Sequence, residues 1–250
     1  MMTMSTSVED VPAITRPETG VLAATENQRI LELLRSLSDD DWSKPTDCPA
    51  WDVRALAAHV LGGMEAFASI PQFVHQMRAG TKAAGDGPFI DGMTAVQVRE
   101  RADLSRDQLL TRVADVGPRV ARARVRVPRP FRWMPLKEEV GGVPETWRMG
   151  YLLDVILTRD TWMHRIDITR ATGREMVLTA EHDGRLISDA VAEWARRHGQ
   201  SFLLHLEGPA GGTFANGDGG EEITIAAVEF CRILSGRAGG GGLLAQAVPF

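Results

Sequence analysis

The sequence predicts an α+β protein of two domains, a four-helix bundle followed by a small α+β domain. Three observations predict it. Apolar residues recur at helical spacing in four long stretches before Gly173. One crossover between those stretches, of about twenty residues, is longer than most connections, as some bundles require. After Gly173 the texture changes to helix, short strands and helix within about 75 residues, the pattern of a compact α+β unit.

The 250 residues suffice for one large domain or two modest ones. Residues 1–19 are polar, lack the apolar core of a signal peptide, and are expected to form a disordered tail. The bundle is expected over 20–174 and the α+β domain over 175–250. In the first helix Leu22, Ile30, Leu33, Leu34 and Leu37 form one stripe. The run from Asp39 to Ala50 is rich in turn formers. Asp52 then suits an N-cap, with Trp51 before it placed to staple on Leu56. This second helix is expected to run through His59 and Glu65 as far as Arg78. Gly62 and Gly63, one turn after His59, would admit a neighbouring helix. A third helical region spans 94–123, with a possible break at Ser105. The stretch 124–144 is too rich in Pro and Gly for a regular helix, and reads equally as a lid or as a solvated connection. A fourth helix is expected from Glu145 to Thr172, stopped by Gly173. Beyond it, Thr179 caps a helix reaching His198, three strand candidates follow between Ser201 and Ile225, and a short helix ends at Gly236.

The net charge of -5 gives no reason to expect a nucleic-acid surface. No run of eighteen apolar residues suggests a membrane span. The two cysteines, Cys48 and Cys231, form neither a disulfide framework nor a metal knuckle, and a reducing cytoplasm is the simplest home.

The chemistry is concentrated in a split trio. Asp160 and His164 are four apart on one helix and share a face. His59, on a different helix, can complete three N/O ligands with a fourth position open, the pattern of a catalytic divalent site. Each residue also has a plainer reading. The histidines can be ordinary core or surface groups, and Asp160 can pair with Arg159 or His164. Asp167 can orient a histidine or brace a loop. Arg165 can hold an anion or a surface salt bridge. Cys48 can approach the site from its loop or lie idle, and Trp51 is assigned only its staple. The glycine-rich 211–220 segment lacks the phosphate-loop pattern.

Three segments, PTDCPAWDVRALAAH at 45–59, RDTWMHRIDITRATG at 159–173 and LSGR at 234–237, resemble the mycothiol-dependent maleylpyruvate isomerase family. The resemblance implies a DinB-like metal-binding four-helix bundle with a small C-terminal α+β domain. It implies His59, Asp160 and His164 as ligands of a divalent metal, Zn²⁺ first. At the first ligand position of the late motif many isomerase-like members carry Glu; here Asp160 is one methylene shorter. It also implies Arg237 as a catalytic and cofactor-binding residue that grips a carboxylate through its guanidinium fork. Mycothiol or a similar low-molecular-weight thiol would bind the open metal position, and its thiolate would add to an electron-poor double bond. Rotation and expulsion of the thiol then give isomerisation, whereas retention gives S-transfer. The expected partners are this thiol and a small electrophile, acting on a monomer or homodimer. Two other classes stand beside this reading: a metal-dependent hydrolase and a non-catalytic small-molecule-binding protein.

Overall fold

The structure, a computed structural model, describes residues 5–250. Contacts divide it into two units. One comprises Arg16–Trp133 and Gly150–Glu175; the other takes the described residues up to Thr15, Met134–Met149 and Met176–Phe250.

In chain order the helices of the first unit begin with α1 (Arg16–Ser36) and α2 (Val53–Ala68). Asp52 caps α2 as expected, its Oδ1 accepting from the Ala55 N–H at 2.8 Å. The predicted long second helix is two: Ser69 leaves the helical backbone, and α3 (Ile70–Ala84) starts with Pro71 in its first turn. The predicted third region is also two, α4 (Phe89–Arg99) and α5 (Arg106–Arg126). The break falls at Ser105, which closes a reciprocal capping box with Gln108. A single turn, α6 (Arg129–Arg132), precedes the hairpin described below. The final helix begins as α7 (Met149–Tyr151), passes through a π turn over Leu152–Ile156, and continues as α8 (Leu157–Thr172). Gly173, at φ 70°, ends it in the left-handed conformation that costs glycine least.

Helices α1, α2, α5 and α8 form the bundle. Ile30 and Leu34, Leu56, Val60 and Leu61, Val113, Val116 and Val120, and Ile168 share its apolar core. Polar ties set the helix register. Asn27 donates to the Gly117 carbonyl at 2.9 Å, and Arg165 forks onto Glu26 at 2.7 and 3.1 Å. Arg165, read from sequence as an anion site or a surface pair, is therefore committed to a buried partner. The pair α3–α4 packs beside α2, and a side chain at Gly92 would collide with the Gly80 carbonyl.

In the second unit, the stretch expected as loop and as the start of a long helix is a hairpin, β2 (Pro135–Val140) and β3 (Val143–Arg148), following β1 (Thr6–Ser7) in the chain. Gly141 and Gly142, at φ 57° and 82°, make its two-residue turn, and positive φ at both positions matches the right-handed twist of the strands. Arg197 bridges Glu145 of this hairpin and Glu193, at 2.5 and 2.9 Å. The remaining elements match their predicted places: α9 (Arg185–His198), β4 (Phe202–Glu207), β5 (Gly212–Asn216), β6 (Glu221–Ala226) and α10 (Ala227–Leu234). The sheet runs β1-β5-β4-β6, with β4 antiparallel to β5 and parallel to β6. Trp194 is fully buried, packs on Phe202 and Phe230, and donates its indole N–H to the Leu243 carbonyl.

The tail expected over 1–19 is a correction where it is described. Residues 1–4 lie outside the described residues. Thr6 and Ser7 pair in parallel with Phe214 and Ala215, Val8 is buried, and Arg16–Thr19 already belong to α1. A two-residue strand gains its stability from the sheet edge it completes, so no local periodicity announces it. No helix among the described residues is long and apolar enough to cross a membrane.

Candidate metal centre

The predicted trio meets inside the bundle. His59 lies in the second turn of α2, and Asp160 and His164 occupy one face of α8. His164 Nε2 is 3.3 Å from Asp160 Oδ1, and His59 Nε2 is 3.8 Å from Asp160 Oδ2. The two imidazoles stand edge to face with centroids 5.0 Å apart. One donor atom from each residue lies within 4.8 Å of the others. Donors about 2.0–2.1 Å from a tetrahedral zinc are spaced by roughly 3.3 Å, so this set is close to the required separation.

The far sides of both rings are occupied. His164 Nδ1 lies 3.0 Å from Asp167 Oδ2, and His59 Nδ1 lies 2.8 Å from Gln97 Oε1. A carboxylate and an amide oxygen can only accept, so each Nδ1 donates and each Nε2 is directed toward Asp160. Orientation of a ligand imidazole by an acceptor on its other nitrogen is the usual support of a metal site. The donor set, its spacing and its tautomers thus fit a divalent cation.

Electrostatics point the same way. Burial disfavours ionised Asp160, yet the neighbouring His164 imidazole outweighs it and holds the carboxyl well below the usual range. Burial likewise opposes charge on His164, but Asp160, Asp167 and Cys48 outweigh it and raise its pKa well above the ordinary histidine value. A proton on His164 would lie between two carboxylates, Asp160 and Asp167, and a cation binding there would take its place.

Three neighbours complete the surroundings. Trp51 covers the histidines, its ring centroid 4.9 Å from that of His59 and 6.3 Å from that of His164. The staple reading left this place unseen. Cys48 does approach from the preceding loop, its thiol donating to Asp167 Oδ2 at 3.6 Å. Asp167 therefore fulfils both its readings, orienting His164 and bracing the loop. Gln97 and Gln76 were missed altogether; the one signal for them was the glycine pair after His59. Arg237 belongs to the other unit, in the turn after α10, where its backbone N–H donates to the Arg232 carbonyl at 2.9 Å.

A sequence profile of the mycothiol maleylpyruvate isomerase N-terminal domain matches residues 23–169. The chain belongs to this family. The matched span contains His59, Gln76, Gln97, Asp160, His164 and Asp167, so the family assignment and the centre coincide. Among solved structures, the chain is similar to the crystal structure of the mycothiol-dependent maleylpyruvate isomerase, with a TM-score of 0.56, 16% identity and coverage of 94% of each chain. A point mutant of that isomerase gives a TM-score of 0.55 and 16% identity, covering 93% of this chain and 92% of its own. At that identity the likeness establishes the fold, helical bundle and small α+β part together. No curated protein matches the chain.

Proposed function

We propose that this family member is a divalent-metal-dependent enzyme, working in the cytoplasm, that uses mycothiol or a similar small thiol to isomerise a small electrophilic, carboxylate-bearing substrate. S-transfer to the same class of electrophile is the variant in which the thiol is retained. The observation that carries the reading is the convergence of His59, Asp160 and His164, with both Nε2 atoms turned inward, in a chain of the mycothiol maleylpyruvate isomerase family.

His59 Nε2, His164 Nε2 and an Asp160 oxygen would hold the cation, Zn²⁺ first. When bound, such a cation supplies Lewis acidity that keeps a coordinated thiol deprotonated and nucleophilic. The chain's own groups do the rest. Gln97 and Asp167 fix the imidazoles from behind. Trp51 packs its ring against that of His59, centroids 4.9 Å apart. Arg237 is assigned the substrate or thiol carboxylate, which its fork can grip in two places. Three residues from the protein leave a coordination position for the thiol, and no cysteine of the chain has to act as nucleophile.

The test is turnover of maleylpyruvate by the zinc-loaded protein with and without mycothiol. Turnover requiring both zinc and thiol is expected, lost in His59→Ala and His164→Ala variants that keep their helical circular dichroism. Thiol-independent turnover, or full zinc content in either variant, overturns the reading.

A further inference from the structure

His59 is held by a feature of its own. Its Nδ1 faces Gln97 Oε1 at 2.8 Å, Gln97 Nε2 faces Gln76 Oε1 at 3.0 Å, and Gln76 Nε2 faces the Gly62 carbonyl at 3.0 Å. This chain of hydrogen bonds starts on α2 at His59, crosses to α4 and α3, and returns to α2 three residues on. Both glutamines are fully buried or nearly so, at 0% and 2% exposure.

An amide side chain has two ends of similar shape, and its neighbours decide which is which. Here the last neighbour is a backbone carbonyl, which only accepts. Gln76 must therefore turn its NH₂ to Gly62 and its oxygen to Gln97. Gln97 must answer with its own NH₂, which leaves its oxygen toward His59. Nδ1 of His59 must then carry hydrogen. In a neutral imidazole the other nitrogen is bare, and that nitrogen is the one facing Asp160. The bare Nε2 stands 3.8 Å from Asp160, beyond hydrogen-bonding distance, whereas the opposite tautomer would set a lone pair against Gln97 Oε1 at 2.8 Å. Flipping both amides to relieve it would set Gln76 Oε1 against the Gly62 carbonyl. Burial excludes the water that would excuse either mismatch.

We propose that Gln97 and Gln76 are positioning residues that carry the polarity of the Gly62 carbonyl to His59 and lock its imidazole in the metal-binding tautomer. Gly62 serves twice. A Cβ there would sit 2.6 Å from Gln97 Cβ and 2.7 Å from Gln97 Cγ, so the absence of a side chain lets α4 come close enough for the relay. Arg101, one turn beyond Gln97, clamps the approach: Nη1 donates to the Gln97 carbonyl at 2.8 Å and Nε to Glu65 Oε2 at 3.0 Å. The relay is uncharged throughout, so it directs the ring without placing another ion beside the cation.

The inference rests on His59 being a ligand, and its test separates the two claims. ¹⁵N spectra of histidine-labelled, zinc-free protein read the tautomer with no metal involved; the Nδ1–H form of His59 is expected. Zinc affinity, measured by competition with a chromophoric chelator, is expected to fall about 10- to 100-fold in Gln76→Met and Gln97→Met. In a Gln97→Glu background the carboxylate accepts from Nδ1 whichever way Gln76 points, so there Gln76→Met should cost almost nothing. A packing role alone would give the same loss in both backgrounds, and that result overturns the proposal. So does a wild-type spectrum showing the Nε2–H tautomer. Should Gln97→Met fail to fold, the wild-type spectrum and the two Gln76→Met measurements still decide.

Discussion

The two halves of the centre orient their histidines by different means. On α8, His164 is tied to Asp167, a carboxylate three residues along the same helix and wholly buried. On α2, His59 is tied through two neutral amides on two other helices to a backbone carbonyl. The first arrangement is local and charged. It fixes the ring, makes the ligand more basic and, with Asp160, stabilises a proton on His164. The second depends on the packing of α3 and α4 against α2 and adds no charge. One half therefore stores electrostatic free energy that a cation can take over, whereas the other stores geometry.

The contrast would break most visibly on deleting each imidazole. Both His59→Ala and His164→Ala should abolish stoichiometric zinc binding, by metal analysis after gel filtration. Their effects on the zinc-free fold should differ. His164→Ala removes the partner shared by the half-buried Asp160 and the buried Asp167, and the loss falls toward the lower end of the about 3–5 kcal/mol that breaking a buried ion pair costs, because solvent reaches Asp160. His59→Ala leaves one buried amide oxygen unanswered, a cost of about 1–3 kcal/mol. Urea unfolding at neutral pH measures both, and equal losses would erase the distinction.

A smaller effect isolates charge from orientation. Asp167→Asn keeps an acceptor for His164 Nδ1 but removes the negative charge. If charge contributes as argued, zinc affinity falls about 10- to 100-fold, and an unchanged affinity would mean that both halves only orient. The same asymmetry should appear with pH. His164 has a folded pKa above the unfolded value of about 6.5, so its stabilisation is complete below that value and is lost as pH rises through the folded pKa. Asp160 is shifted the other way, and its stabilisation holds above about pH 3.9 and is lost as pH falls through its folded pKa. The zinc-free protein should thus be most stable between these limits. Zinc must displace the His164 proton, so binding near pH 7 should release about one proton, read by titration calorimetry in buffers of different ionisation enthalpy.

The same difference decided what could be read in advance. The i, i+4 and i, i+7 spacing of Asp160, His164 and Asp167 follows from helix geometry, so that half was legible from one segment. His59 could be named through a motif, but its support could not. Gln76 and Gln97 sit among ordinary helical residues, and only the crossing of three helices makes them neighbours. The hairpin was missed for a related reason. Gly141-Gly142 is a strong turn signal, but Pro128, Pro130 and Pro135 around it read as irregular chain, and Glu145–Arg148 read as a helix start rather than a strand. Helix ends governed by side-chain caps at Asp52 and Thr179 were found because capping is local, whereas Ser105 was read only as a break and its capping box with Gln108 went unread.

The smallest expected effect concerns how each ligand helix begins. The helix bearing Asp160 and His164 grows out of a π turn with no side-chain cap. The one bearing His59 starts abruptly at Asp52, whose carboxylate meets the Ala55 N–H at 2.8 Å two turns before the ligand. Asp52→Ala should cost about 1 kcal/mol of stability, seen in urea unfolding. Zinc affinity should hold within about twofold, because His59 is located by Gln97 from the side and by the apolar face of α2 beneath it, through Leu56 and Val60, rather than by the helix terminus. A large loss of affinity in Asp52→Ala would place the control of His59 in the start of its own helix and make the two halves alike.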